Sequence, residues 1–214
     1  MQRFRTILNE CGALLISGVA VAFLAANAAC ADNGVNKEVA SVLAHPVFKE
    51  AFACREHGAE SAEWDLGDAF GTDCFIQKLV NVDGHLWPRS YRGNGTRNED
   101  WYGWRHDVLS PCTCEVMDLH VNPAINSPGL MGKEQASIVK LKGTDGVVFV
   151  VVHFDQPRVH VGEHIAAGQL IAQVGNNGLS RHPHIHIGAY RGSEPLQIRF
   201  DQRFVEPIVQ APPE

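Results

Sequence analysis

The segment Gly175-Asn176-Asn177-Gly178-Leu179-Ser180-Arg181-His182-Pro183-His184-Ile185-His186-Ile187 sets a glycine- and asparagine-rich turn ahead of a run in which histidine and isoleucine alternate. Gly and Asn tolerate the backbone angles of tight turns, and the alternation has the period of a β-strand. On such a strand His184 and His186 share one face, while Ile185 and Ile187 point to the other. Two imidazoles on one rigid surface can supply a metal ligand and a neighbouring acid/base group, the combination that metal-assisted hydrolysis uses. A bare HxH is also the pattern of a solvated histidine pair, so its meaning depends on its surroundings.

From Cys114 onward the chain is rich in short β-type runs, with candidate strands at residues 114–121, 138–141, 147–154, 169–174 and 184–190. Turn signals separate them at Asn122-Pro123, Ser127-Pro128-Gly129, Thr144-Asp145-Gly146, Gly162, Gly168 and Gly175–Gly178. Many short strands between such turns predict a sandwich or barrel. His153 closes the apolar run Val147–Val152, where a histidine is by itself most simply a rim residue. One further strand is expected around Phe75–Val80, and residues 36–63 carry apolar positions near helical spacing, interrupted at Pro46, that predict one or two short helices.

Gly175-Asn176-Asn177-Gly178-Leu179-Ser180 followed by Pro183-His184-Ile185-His186 resembles the G-N-x-G-x-S...P-H-x-H signature of lysostaphin/LytM-type zinc metallopeptidase domains. Val161-Gly162, Ile165, Gly168-Gln169 and Gly175 resemble the same family's preceding V-x-x-G-x-x-V-x-x-G-Q-x-I-x-x-x-G hairpin, so the likeness covers about thirty residues without a gap. The resemblance implies a mostly β fold, a two-layer antiparallel β-sandwich with an open groove (the duplicated hybrid motif). It implies zinc as cofactor, held by an upstream His and Asp and by the second His of HxH, which is His186. It also implies catalytic roles for His184 and for His153, although Val151 and Phe154 stand where the family's Y-x-H-L element has Tyr and Leu.

The family's aspartate lies in a D-I-A-A-P element, and Asp107-Val108-Leu109-Ser110-Pro111 resembles it, making Asp107 the expected carboxylate ligand. The family's first zinc histidine lies four residues earlier, where this chain has Gly103. His106 is then a candidate replacement across a bulge, with Glu99 and Asp100 as further oxygen donors in the same approach. The implied function is an exported zinc metalloendopeptidase that hydrolyses peptide bonds in peptidoglycan stems or cross-bridges by a zinc-activated water. Because a catalytic zinc normally has three protein ligands, the missing histidine also points to the alternative, a degenerate non-catalytic domain of the same fold that acts as a cell-wall binding or regulatory module with a protein partner.

The first residues have the layout of a secretory leader: Arg3 and Arg5, the apolar stretch Gly12–Leu24, and the small-x-small site Ala29-Cys30-Ala31. The expected organisation is therefore a signal peptide at 1–31, a helical extension at 32–74, the peptidase-like domain at 75–200 and a frayed tail at 201–214. A periplasmic or extracellular bacterial location follows, with no stable membrane association once the leader is removed. A net charge of −6 over 214 residues gives no electrostatic reason to expect nucleic acid as a partner. The four cysteines beyond the leader, Cys54, Cys74, Cys112 and Cys114, predict disulfides, with the pairing open. Trp87, Trp101 and Trp104 are candidates for core or for a glycan-stacking groove.

Overall fold

The computed structural model describes residues 38–58 and 66–212. The expected leader lies outside them, and among the described residues no helix is long and apolar enough to cross a membrane. In chain order the strands are β1 Ser41–Ala44, β2 Phe52–Glu56, β3 Thr72–Ile76, β4 Lys78–Val82, β5 His85–Arg89, β6 Asp107–Leu109, β7 Cys114–His120, β8 Ile138–Gly143, β9 Val147–Val152, β10 Phe154–Asp155, β11 His164–Ile165, β12 Leu170–Val174, β13 Ile185–Arg191 and β14 Glu194–Phe200. A large sheet runs β1-β14-β13-β9-β8-β7-β11, with β3 added beside β13 and β2 beside β3. A smaller sheet is ordered β10-β12-β6, and β4 and β5 form a separate hairpin. The mostly β architecture read from the sequence is the observed one.

The strand β9 is a continuous valine-rich run because it is covered on both faces and flanked by β8 and β13. Its residues share one core with Val116, Leu141, Ile165, Ile185 and Ile187 of the large sheet and with Val108, Phe154, Ile171 and Val174 of the small one. Ile185 and Ile187 are fully buried, and each buried isoleucine stabilises the fold by about 1.5–3 kcal/mol. That anchoring selects which face of β13 carries the histidines, since a one-residue slip would exchange core and site faces.

Three sequence expectations are revised. The described part of the stretch read as helical holds β1 and β2 instead. β1 pairs in parallel with β14 and β2 antiparallel with β3, and this long-range pairing overrides the local spacing. The run expected as one strand at Phe75–Val80 is broken at Gln77 into β3 and β4, so β3 straddles the boundary drawn at residue 75. The tail is tied down as far as Ala211. Leu79 donates its N–H to the Val209 carbonyl (2.9 Å), Ala211 donates to Leu79 (2.8 Å), and Glu206 donates to Lys49 (2.6 Å).

The cysteines pair as Cys54–Cys74 and Cys112–Cys114. The first disulfide joins residues directly opposed on β2 and β3.

Candidate functional site

β13 is bordered along the first half of its length by β9 on one side and β3 on the other. In that register His186 stands directly opposite Asp73. Opposed residues of an antiparallel pair project from the same face, so the imidazole and the carboxylate meet. His186 Nδ1 lies 2.9 Å from Asp73 Oδ1. His184 reaches the same oxygen from two residues earlier, its Nε2 at 3.4 Å. The β2–β3 register continues beyond β2 through the bond from the His57 N–H to the Gly71 carbonyl (2.7 Å), which puts His57 on this face as well. Its Nε2 is 3.3 Å from Asp73 Oδ2 and its ring centroid 4.9 Å from that of His186. His57, Asp73 and His186 form a cluster whose donor atoms all lie within 4.8 Å of one another.

Glycine makes this convergence sterically feasible. A Cβ at Gly71 would lie 2.7 Å from His186 Cε1 and 2.8 Å from its Nε2. A Cβ at Gly188 would overlap the Gly67 carbonyl, so β13 must be bare there for the turn at residues 66–70 to lie against it. That turn serves the cluster, for the Gly67 carbonyl is 3.2 Å from His186 Nε2 and Asp68 Oδ1 is 2.9 Å from His57 Nδ1.

Burial disfavours the charge on Asp73, but hydrogen bonds from His184 and His186 outweigh it and hold its carboxyl far below the usual carboxylate range. Burial also opposes the charged form of His57, yet the Asp73 and Asp68 carboxylates prevail and raise its pKa. His153 moves the other way: burial, then the charges of His184 and His186, push its pKa well down, so its imidazole is neutral at physiological pH. The asparagine turn grips His153. Its Nδ1 is 2.9 Å from the Asn177 carbonyl, and the Asn177 amide donates to the Phe154 carbonyl (2.8 Å). His153 takes a left-handed conformation, φ 68°, between β9 and β10, and its ring centroid is 4.8 Å from that of His184. His184 Nδ1 lies 2.7 Å from the His182 carbonyl, and its Nε2 faces Asp73 Oδ1 at 3.4 Å.

His153, His184 and His186 of the sequence reading thus come together, each buried. Asp107 and His106 do not join them. Asp107 is exposed on β6, opposite Gln173 of β12, and His106 Nδ1 turns to Glu50 Oε1 at 3.1 Å. The physical reason is sheet membership: β6 belongs to the small sheet, whereas the neighbours of His186 are β9 and β3. Asp100 is used in capping its own turn against Arg97, and Glu99 is exposed. The carboxylate beside His186 is that of Asp73 rather than Asp107, and Ala69, fully buried, stands four residues before it. Of the tryptophans, Trp87 is exposed on β5, Trp104 carries the Arg105 guanidinium over its ring, and Trp101 stacks on His182 at 4.6 Å.

A carboxylate and two histidines gathered on adjacent strands, His57, Asp73 and His186, make a donor set that could hold a metal ion. The sequence model of peptidase family M23 matches residues 124–198, a stretch that contains His153, His184 and His186 but neither Asp73 nor His57. That stretch is similar to the lysostaphin/LytM-type domains of this family. Similar solved structures include lysostaphin from Staphylococcus simulans (18% identity over 58% of this chain and 40% of that one, TM-score 0.36). A zinc-containing peptidase from Vibrio cholerae is similar at 14% identity, over 59% and 48% of the two chains, TM-score 0.36. So is an M23 peptidase from Pseudomonas aeruginosa at 16% identity, over 47% and 39%, TM-score 0.36. This chain therefore spans less than half the length of each of these three. Comparison with curated proteins returned no significant match.

Proposed function

We propose that this protein is an exported zinc metalloendopeptidase acting on the peptide portion of bacterial peptidoglycan. The observation that carries the reading is the pairing of Asp73 with His186 across β3 and β13, beside His184 and His153, inside a domain of a peptidase family. Asp73 and His186 fit zinc: one hard oxygen and one imidazole nitrogen, 2.9 Å apart, with the second nitrogen of the imidazole steadied by the Gly67 carbonyl. When bound, zinc supplies Lewis-acid polarisation of the scissile carbonyl and makes water more acidic. His184 then accepts the proton of the attacking water at Nε2, because Nδ1 is committed to the His182 carbonyl. His153, neutral and held by Asn177, bears its proton on Nδ1 and works through its other nitrogen beside His184 in the same proton traffic. Two disulfides accord with folding in an oxidising compartment outside the cytoplasm.

Ala69 favours a second reading, a domain that binds cell-wall peptide or a protein partner without cleaving it. Digestion of purified peptidoglycan separates the two. New amine termini released by the zinc-supplemented protein, and lost with a chelator or with His184→Ala, are expected for the peptidase. Sedimentation with peptidoglycan but no release under the same conditions would overturn that reading in favour of the binding module.

A further inference from the structure

In the pattern described above, the first zinc histidine stands four residues before the aspartate. With Asp73 as the aspartate, that position is Ala69, an apolar and fully buried side chain that cannot bind a metal. We infer that His57, carried just past the end of β2, supplies the metal ligand that Ala69 withholds. This rests on the zinc-peptidase reading of the site and deepens it, since it gives the centre three protein ligands, the usual number for a catalytic zinc.

The geometry carries the inference in four ways. A tetrahedral zinc with bonds of about 2.0 Å separates neighbouring donor atoms by about 3.3 Å. His57 Nε2 is 3.3 Å from Asp73 Oδ2 and His186 Nδ1 is 2.9 Å from Asp73 Oδ1, so the one carboxylate faces both imidazoles, and one donor atom from each of the three residues lies within 4.8 Å of the others. Each histidine has its remaining nitrogen engaged: His57 Nδ1 by the Asp68 carboxylate at 2.9 Å, and His186 Nε2 by the Gly67 carbonyl at 3.2 Å. A carboxylate on the far nitrogen fixes the tautomer of a ligating imidazole and raises its basicity. The turn at residues 66–70, which would present the histidine in the family pattern, supplies these outer partners instead. The absent side chain at Gly71 leaves the gap through which His57 and His186 approach each other. Finally, the Cys54–Cys74 disulfide locks β2 onto β3 next to Asp73 and three residues before His57, so the entry of His57 is set by a covalent staple as well as by the ladder.

The test uses the full chain after any leader, oxidised, with zinc affinity measured by chelator competition and the visible spectrum of the cobalt(II)-substituted protein. Wild type should bind one zinc, and His57→Ala should bind it more than ~100-fold less tightly, with a weaker cobalt absorption as tetrahedral coordination is lost. Asp68→Asn, which removes only the outer partner, should cost about 10- to 100-fold. Ala69→His in the His57→Ala background should restore affinity by returning the histidine to the family position. His57→Gln, which keeps bulk at the site, stands in if the alanine variant has lost its circular dichroism signal. If His57→Ala and His57→Gln bind zinc as wild type does while Asp73→Ala and His186→Ala do not, His57 is not a ligand and the inference falls, leaving the peptidase reading intact. If wild type binds no zinc, both fall.

Discussion

His184 and His153 have unlike surroundings although their rings nearly touch. His184 is fixed by the His182 carbonyl and Ser180, and faces a carboxylate; His153 is sealed under the Asn177 turn with its charge suppressed by burial. If both move protons during hydrolysis, His184→Ala and His153→Ala should each lower the turnover of peptidoglycan cleavage by about 10²–10⁴-fold. Zinc content should stay at one per chain in both, which metal analysis of the purified variants would check. His184 and His186 were legible in the sequence because their signal is local, an alternation and a turn within a dozen residues, whereas His153, about thirty residues upstream, was drawn in only by the family resemblance. Asp73 was not legible. Asp107-Val108-Leu109-Ser110-Pro111 looks more like the expected aspartate element than Gly71-Thr72-Asp73-Cys74-Phe75 does, and Ala69 stands where a histidine would have marked the latter. His57 left no local trace at all, since its place depends on which strand β2 joins.

At the scale of elements, the β2–β3 pair is a short ladder at the edge of the large sheet, and β2 is exposed along most of its length. Such a strand buries little apolar surface of its own, so the Cys54–Cys74 bridge is central to holding it. Closing a loop of 20 residues stabilises a fold by about 3 kcal/mol. Cys54→Ala/Cys74→Ala should lower unfolding stability by about that amount in denaturant titrations, and should weaken zinc binding as His57 is released. The helical spacing around Val39, Val42, Val47, Phe48 and Phe52 was misleading for a related reason. Short segments take their structure from the partner they reach, here β14, at the far end of the chain, and β3, across a loop from β2. Strands β7, β8, β9, β12 and β13 were legible because each is long, buried on a regular face and bounded by turn residues.

Over the whole molecule, the mostly β fold could be read from the sequence, but the division into an extension, a domain and a loose tail could not. The extension contributes β1, β2 and part of β3 to the large sheet, and the final residues lace the β4–β5 hairpin and Lys49 to the rest. Deleting residues 205–214 should speed amide exchange at Leu79 and its neighbours in β4, read by hydrogen–deuterium exchange, without altering zinc affinity. The pairing of β3 with β13 has a further consequence. Asp73 and His186 are 113 residues apart in the chain. A growing polypeptide that has already made His57, Asp68 and Asp73 must wait for all of that intervening length before the two strands can meet. The cluster of His57, Asp73 and His186 is therefore withheld from the nascent chain and comes into being only as the last strands of the sheet close.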